Sequence, residues 1–332
     1  MSDVLSLVSC DSLAADTFPD DPALYTDPAQ GDVILQSSDG CNLYVYKFLL
    51  TLSSPVFTDM FSMPQPPESD SENDAESEKE AAHADADTPH PIIPVSEDAT
   101  LLRRLLSWTD PRLLPQIGSL EDIQRLLEVA DKYCMTTTIV RIGDTLSYGI
   151  HNLCPGGLRS VRVYALAVRY NLASLAQAAA RASLDARWED LMAENGPELA
   201  HVPASALHRL QQYRLSCGAA AKKVANDWSW ILDATGVVSD CIECASGEPP
   251  RHWSKWWVQY MALAADELYR TPSSSTITAP ELAVLPLTYM GACNECRRST
   301  GETYKHLARF NKVFIKEIDR AIAEVPFTAL QP

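Results

Sequence analysis

Residues 32–61 constrain the fold of this chain more than any other segment. The segment begins with an apolar, β-branched run from Val33 to Leu35. The tight-turn dipeptide Asp39-Gly40 follows, and a second run covers residues 42–46. Apolar residues alternate with tyrosines in that second run, which is the period-two pattern of a half-buried strand. We therefore predict a β-hairpin over residues 32–47.

Two short helices are predicted directly after the hairpin. Residues 47–53 change to helical spacing, with Phe48, Leu49 and Leu52 on one side. Ser54 is a good N-cap and Pro55 a good first helical residue, so a second helix should start there and run to Phe61.

The pattern resumes after an acidic interruption. A third strand is expected within residues 91–98, followed by helices over 100–108, 121–135 and 137–150. Together with the segment Ala130-Asp-Lys-Tyr133, this series of elements resembles a BTB/POZ domain, which we place at residues 27–150. The resemblance implies a small sheet flanked by helices.

The resemblance also implies a mode of action, because BTB domains are protein-interaction modules that commonly form homodimers. In the family, a buried acidic residue and a basic residue form a charged pocket near the dimer interface, and the matching positions here are Asp32 and Lys47. The alternative for Asp32 is that it only caps the hairpin. Many family members have histidine where this chain has Tyr46.

The net charge of −17 is concentrated in two segments. Residues 1–32 contain seven acidic residues and no Lys or Arg, and residues 68–87 contain nine acidic residues against Lys79. Both segments have few apolar residues, so we predict disorder for residues 1–26 and for an insertion at 63–90 inside the BTB-like domain. The rest of the chain is nearly neutral, which argues against partners such as nucleic acid or a membrane surface.

Three serines in the insertion are candidate phosphorylation sites. Ser69, Ser71 and Ser77 each have an acidic residue three positions later, the pattern that acid-directed kinases prefer. Phosphorylation would add further negative charge. The alternative is a solvated spacer with no regulatory role.

Some BTB proteins act as substrate adaptors of cullin-type ubiquitin ligases and carry a hydrophobic-x-Glu element between the second helix and the third strand. Here Met63-Pro64-Gln65 and the insertion occupy that place, so cullin recruitment lacks support from the residues that would carry it.

With its helical extension, the chain is similar to BTB-domain proteins of fungi. A scaffold or adaptor that binds protein partners and self-associates is the expected function, with a cullin adaptor as the alternative.

Residues 151–332 are predicted to be helical, without a second sheet. Apolar residues recur at helical spacing over residues 159–170, 172–184, 204–232, 251–269 and 303–325, and a shorter helix at 281–285 is expected to stop at Pro286. The tryptophans of the segment 251–269 can form a ligand platform, although aromatic residues at this spacing more commonly form a core.

Two Cys-x-x-Cys pairs carry the strongest chemical signal of this helical region. Cys241 with Cys244 and Cys293 with Cys296 supply four thiolates, the ligand set of a closed structural zinc site. Free thiols, disulfides and thiol redox chemistry are the alternatives, and a redox enzyme is disfavoured because neither pair follows a strand of a βαβ unit. His252 and His306 lie close in sequence and are expected outside the ligand shell.

Catalysis is not expected from this sequence. It contains no Gly-rich phosphate loop, no Gly-x-Ser-x-Gly elbow and no His-Glu-x-x-His helix.

No segment is long and apolar enough to span a membrane, and no basic region precedes an apolar one at the N-terminus, so an intracellular location is expected. Taken together, the predicted elements and the family resemblance give an α+β fold class, with a BTB/POZ domain followed by an all-α region held by four cysteines.

Overall fold

The computed structural model describes residues 21, 23–63, 90–231, 241, 243–246, 253–298 and 300–327. The chain divides into two compact units, residues 1–142 and 143–332. The fold is α+β, with helices in both units and a three-stranded sheet in the first. Most of the two predicted disordered segments lies outside the described residues, including Ser69, Ser71 and Ser77 and the cullin-contact position beyond Met63. Residues 23–26 are described, and Tyr25 is buried, with its carbonyl accepting a hydrogen bond from the Tyr44 N–H at 2.8 Å, so the predicted disorder does not extend to residue 26.

The sheet of the first unit confirms the predicted hairpin. Strands β1 (Val33–Gln36) and β2 (Asn42–Val45) are antiparallel, and Val33 pairs with Val45 and Leu35 with Leu43. Gly40 in the turn between them has φ +82°, a conformation that glycine adopts without strain. Strand β3 (Ile92–Pro94) lies parallel to β1 on its other edge, so the order is β2-β1-β3.

Apolar burial holds the hairpin in the core. The side chains of the two cross-strand pairs Val33–Val45 and Leu35–Leu43 are at most 1% exposed. Burying each such side chain contributes about 1.5–3 kcal/mol. A register shift of one residue would turn these four side chains to the opposite face, so the apolar pattern determines the pairing.

The helices of the first unit begin at or near the predicted positions, and the last of them continues past the boundary at residue 142. They are α1 (Lys47–Ser53), α2 (Pro55–Ser62), α3 (Ala99–Ser107), α4 (Leu120–Lys132) and α5 (Thr136–Tyr148). The hydroxyl of Ser54 accepts a hydrogen bond from the Phe57 N–H at 3.2 Å, which confirms Ser54 as the N-cap of α2. Helix α5 ends at Tyr148 instead of Ile150, because Gly149 interrupts it before the next helix.

The Ala130-Asp-Lys-Tyr133 segment anchors the first unit through a polar cluster. Lys132 Nζ donates to Glu97 Oε1 at 2.6 Å, and the Tyr133 hydroxyl donates to Glu97 Oε2 at 2.7 Å. The carbonyl of Tyr133 accepts from the Ser54 hydroxyl at 2.6 Å. These bonds connect the end of α4 to the start of α2 and to Glu97, two residues before α3, so three parts of the chain are held together.

The second unit is mainly helical. Its helices are α6 (Ile150–Leu153), α7 (Ser160–Arg169), α8 (Ala173–Ala182), α9 (Trp188–Ala193), α10 (Ala204–Asn226), α11 (Lys255–Arg270), α12 (Ser274–Thr278), α13 (Pro280–Ala292), α14 (Asn294–Arg298) and α15 (Thr300–Ala323). Asn171 between α7 and α8 has φ +56°, which ends α7 in the left-handed conformation that asparagine tolerates.

Two predictions for this unit are wrong. Helix α13 continues through Pro286. Proline has no N–H and cannot donate the helical hydrogen bond, and the burial of its ring in the interior compensates for the loss of that bond. A second sheet also exists, because β4 (Ala245–Ser246) pairs antiparallel with β5 (Trp253–Ser254). A two-residue strand is too short to produce an alternating sequence pattern.

A buried ion pair helps to hold the second unit. Arg162 on α7 meets Glu198 through two hydrogen bonds, Nε to Oε2 at 3.0 Å and Nη2 to Oε1 at 2.7 Å. The Glu198 side chain is 0% exposed. Bidentate geometry satisfies both carboxylate oxygens, so the turn at Pro197–His201 is fixed against α7.

Helices α10 and α11 approach closely at Gly218. A β-carbon added there would lie 2.5 Å from the Tyr269 carbonyl oxygen, closer than a van der Waals contact. The missing side chain lets the α11 backbone pack directly on α10. The glycine inside this long helix therefore has a packing role.

Substitution Gly218→Ala is expected to destabilise the protein by about 1–3 kcal/mol, because overpacking outweighs the gain of about 1 kcal/mol in helix propensity. Gly291→Ala, also in a helix, is the matched control, since its added β-carbon meets nothing within 4 Å. Urea unfolding should show the control unchanged or slightly stabilised. Equal behaviour of the two variants would contradict the packing role.

Substitution Glu97→Gln is expected to lower the free energy of unfolding by about 1–2 kcal/mol at neutral pH, because half-exposed Lys132 would lose its charged partner. Burial alone would raise the pKa of Glu97, but hydrogen bonds from Lys132 and Tyr133 hold it below the ordinary 4.5. A carboxyl with a lowered folded-state pKa stabilises the fold above its unfolded pKa and loses that effect as the pH falls.

The wild-type protein should therefore lose stability as the pH drops below about 4.5, and Glu97→Gln should show a flatter decline over the same range. Urea unfolding at several pH values measures both curves. Asp59→Asn, at an exposed position of the same unit, is the control and should follow the wild-type curve. Parallel curves for Glu97→Gln and wild type would refute the assignment.

Candidate metal centre

The four cysteines of the two Cys-x-x-Cys pairs meet in the second unit. Cys241 and Cys244 lie in a turn just before β4, whereas Cys293 ends α13 and Cys296 lies on α14. Residues 245–292 separate the two pairs and include α11, α12 and α13. Packing of these helices brings the second cysteine pair next to the first, so pairs distant in sequence become adjacent in space.

The sulfur geometry suits a metal ion. The four Sγ atoms lie within 4.8 Å of one another, and Cys241–Cys293 and Cys244–Cys296 are both 3.6 Å apart. A tetrahedral site with metal–sulfur bonds of about 2.3 Å has sulfur–sulfur distances of about 3.8 Å. Cys241 and Cys296 are buried and the other two are half-buried, so the cluster can enclose an ion.

Backbone hydrogen bonds support the first cysteine of each pair. The N–H of Cys296 points to the Cys293 sulfur and is the main cause that lowers the pKa of that thiol. Burial raises the pKa of Cys241 to about 11, although the N–H of Cys244 acts in the opposite direction. Burial also raises the pKa of Cys296. A bound divalent cation would stabilise the thiolate form of these buried cysteines and so offset the free-energy cost of ionising them.

Two glutamates form hydrogen bonds with the cysteines of the cluster, and the sequence did not predict them. Cys241 Sγ donates to Glu295 Oε2 at 3.3 Å, and Cys293 Sγ donates to Glu243 Oε2 at 3.5 Å. Each pair thus supplies a carboxylate to the first cysteine of the other pair, and the Glu295 N–H also donates to Glu243 at 3.1 Å. The available signal was the glutamate just before the second cysteine in both pairs.

His252 lies outside the described residues, and the side chain of His306 is likewise not described. The candidate ligand set is therefore the four cysteines, which lie close enough together to hold a metal ion.

The tryptophans of α11 belong to the core. Trp256 and Trp257 are at most 2% exposed, and Trp257 meets Phe310 with ring centroids 4.4 Å apart. Trp253, on β5, stacks on Trp257 at 6.0 Å. The core interpretation is therefore confirmed. Strand β5, which carries Trp253, pairs with β4, the strand that follows the first cysteine pair.

Asp32 and Lys47 lie together in the first unit. The Asp32 carboxylate accepts a hydrogen bond from the Lys47 backbone N–H at 2.5 Å, whereas Tyr46, at the N-cap position of α1, makes no side-chain cap. Asp32 also donates its own N–H to the Val45 carbonyl at 3.1 Å. It therefore joins the hairpin and caps the first helix at the same time.

A cavity of about 600 Å³ in the second unit is lined by residues that include Asp185, Ser273 and Asp319. The Ser273 hydroxyl donates to Asp185 and accepts from the Ser275 N–H at 3.2 Å. The second of these bonds is the N-cap of α12. These contacts give the hydroxyl a structural role.

Comparison with models of known protein families and with curated proteins finds no match to this sequence. Among the described helices, none has the length and apolar character that crossing a membrane requires.

We expect the protein purified in reducing buffer to bind one divalent metal ion, and Cys293→Ser to weaken that binding strongly. Loss of the metal should lower the free energy of unfolding by several kcal/mol, because the unfolded chain has no preformed site. Cobalt titration measures binding through the visible bands of a tetrahedral thiolate complex.

Cys41→Ser is the control for this experiment, since Cys41 is exposed and isolated from the cluster. It should bind metal like the wild type. Less than about half an equivalent of metal in the wild type, with stability unchanged by a chelator, would exclude the metal centre.

Proposed function

We propose that this chain is a non-enzymatic protein-interaction protein whose first unit is a BTB/POZ-type domain that pairs with a second copy of itself. The order of its elements supports the proposal. A hairpin leads into two short helices, a third strand joins β1 in parallel, and further helices follow. This is the series for which the sequence resembles that family.

The observation that carries the proposal is an apolar face on α1. Phe48 is 68% exposed and Leu52 is 72% exposed, and residues four apart lie on the same side of a helix. Large apolar side chains exposed together indicate an interaction surface. A second copy of this chain is the occupant that the family resemblance implies.

Self-association through α1 would be isologous, so each protomer would contribute the same face. Burying Phe48 and Leu52 would contribute about 1.5–3 kcal/mol for each side chain. Asp32 caps the start of this helix and so holds the face in position. The family resemblance assigns Asp32 and Lys47 to the neighbourhood of a dimer interface; here Asp32 is exposed and meets the Lys47 backbone N–H, and Lys47 Nζ lies 5.4 Å from the centre of the Phe61 ring.

For the second unit we propose zinc as the metal held by Cys241, Cys244, Cys293 and Cys296. Four thiolates in tetrahedral geometry complete the shell of a structural zinc ion and leave no position for a substrate. The ion would link the turn before β4 to α14 and so stabilise the helical unit. Elemental analysis of the protein purified without added metal should identify zinc, and stoichiometric iron or copper would refute the assignment.

The double substitution Phe48→Ser/Leu52→Ser is expected to convert a dimer into a monomer, because it removes the apolar face without touching the core. Size-exclusion chromatography with light scattering measures the mass. Leu114→Ser is the matched control, since Leu114 is 78% exposed in the same unit but lies outside α1. A monomeric wild type, or a double variant that still dimerises with unchanged affinity, would overturn the proposal.

A further inference from the structure

A small cavity in the second unit is built around a buried cation. Its volume is about 260 Å³, and its wall comes from α9, α10 and the end of α11. Arg214 on α10 lines it and is only 5% exposed. The volume is that of about nine water molecules, so its ligand would be small.

The guanidinium of Arg214 is incompletely bonded. Its Nη2 donates to the Ala186 carbonyl at 2.7 Å, and its central carbon lies 5.6 Å from the centre of the Trp188 ring. Its Nη1 is buried and has no hydrogen-bond partner among the described residues. Buried polar groups are almost always paired, so this nitrogen indicates a missing acceptor.

Arg214 remains a cation at neutral pH. Burial lowers its pKa to about 10, while Cys217, Glu189 and Asp185 act in the opposite direction. Glu189 and Asp185 are exposed, so water screens their attraction for the guanidinium. A buried positive charge without an ion pair is stabilised by an anion that binds beside it.

The other residues of the cavity limit the charge and shape of that anion. Arg270 is already paired with Glu267, Nη1 to Oε1 at 3.0 Å, and Glu189 adds a negative charge to the wall. Arg214 is therefore the cation of this wall that has no ion pair among the described residues, and the negative charge of Glu189 disfavours a second negative charge on the ligand, so a monoanion is favoured over a phosphate dianion. Trp188, Leu215 and Tyr269 provide an apolar surface beside it.

We propose that this cavity binds a small monocarboxylate with a flat apolar or aromatic body. The carboxylate accepts hydrogen bonds from Nη1 of Arg214, and the body packs against Leu215 and the two aromatic rings. Such charge-assisted bonds to a carboxylate are the strongest that arginine forms. The close contact of Gly218 with the Tyr269 carbonyl holds that wall in place, so the cavity is preformed.

Titration with benzoate, using benzamide as its neutral analogue, tests the proposal on the full-length protein. Benzoate should bind, and benzamide should bind at least about ten-fold more weakly because it lacks the charge. Tryptophan fluorescence reports binding at Trp188, and calorimetry measures the affinity. Equal binding of the two compounds, no binding of benzoate at about 10 mM, or equally tight binding of inorganic phosphate would each overturn the proposal.

Two substitutions locate the binding. Arg214→Gln should weaken benzoate binding by about ten-fold or more. Leu215→Trp keeps Arg214 but fills the cavity, and it should weaken binding even if Arg214→Gln fails to fold. Leu287→Trp is the matched control, because Leu287 and Leu215 are both 41% exposed. Wild-type affinity in the Leu215→Trp variant would refute the assignment to this cavity.

Discussion

The second unit depends on the meeting of its two Cys-x-x-Cys pairs. Residues 245–292 separate the pairs, and closing a chain loop of that length costs roughly 3–4 kcal/mol of entropy. Packing of α11 against α10 and of α13 against α11 offsets this cost before any metal binds. The sulfur cluster therefore lies where the helices already converge, and a bound ion would strengthen an arrangement that apolar burial has produced.

The first unit is stabilised in a different way. Its sheet has only three strands, and short strands alone give little stability. Polar contacts from distant parts of the chain supplement the apolar pairs. Glu97 receives hydrogen bonds from Lys132 and Tyr133, and Ser54 both caps α2 and bonds to the Tyr133 carbonyl. With the hairpin, α2 and α4 held in this way, α1 exposes Phe48 and Leu52.

Local patterns explain which elements the sequence could predict. The hairpin, the Ser54-Pro55 start of α2 and the cysteine pairs all depend on residues close in sequence, and the structure contains each of them. Pro286 misled the prediction because a proline usually ends a helix, and only its burial shows why α13 continues. The strands β4 and β5 are too short to be recognised by alternation.

The sequence by itself determined the α+β composition, the hairpin register and the supply of four thiolates, because these follow from residue types at short spacing. Only the tertiary structure decided that Cys241 lies beside Cys293, that each glutamate reaches the opposite cysteine pair, and that Arg214 is buried with a nitrogen that finds no partner among the described residues. Each of these joins residues from different elements. Such contacts depend on how helices pack, and packing is set by the summed burial of many side chains rather than by any local pattern.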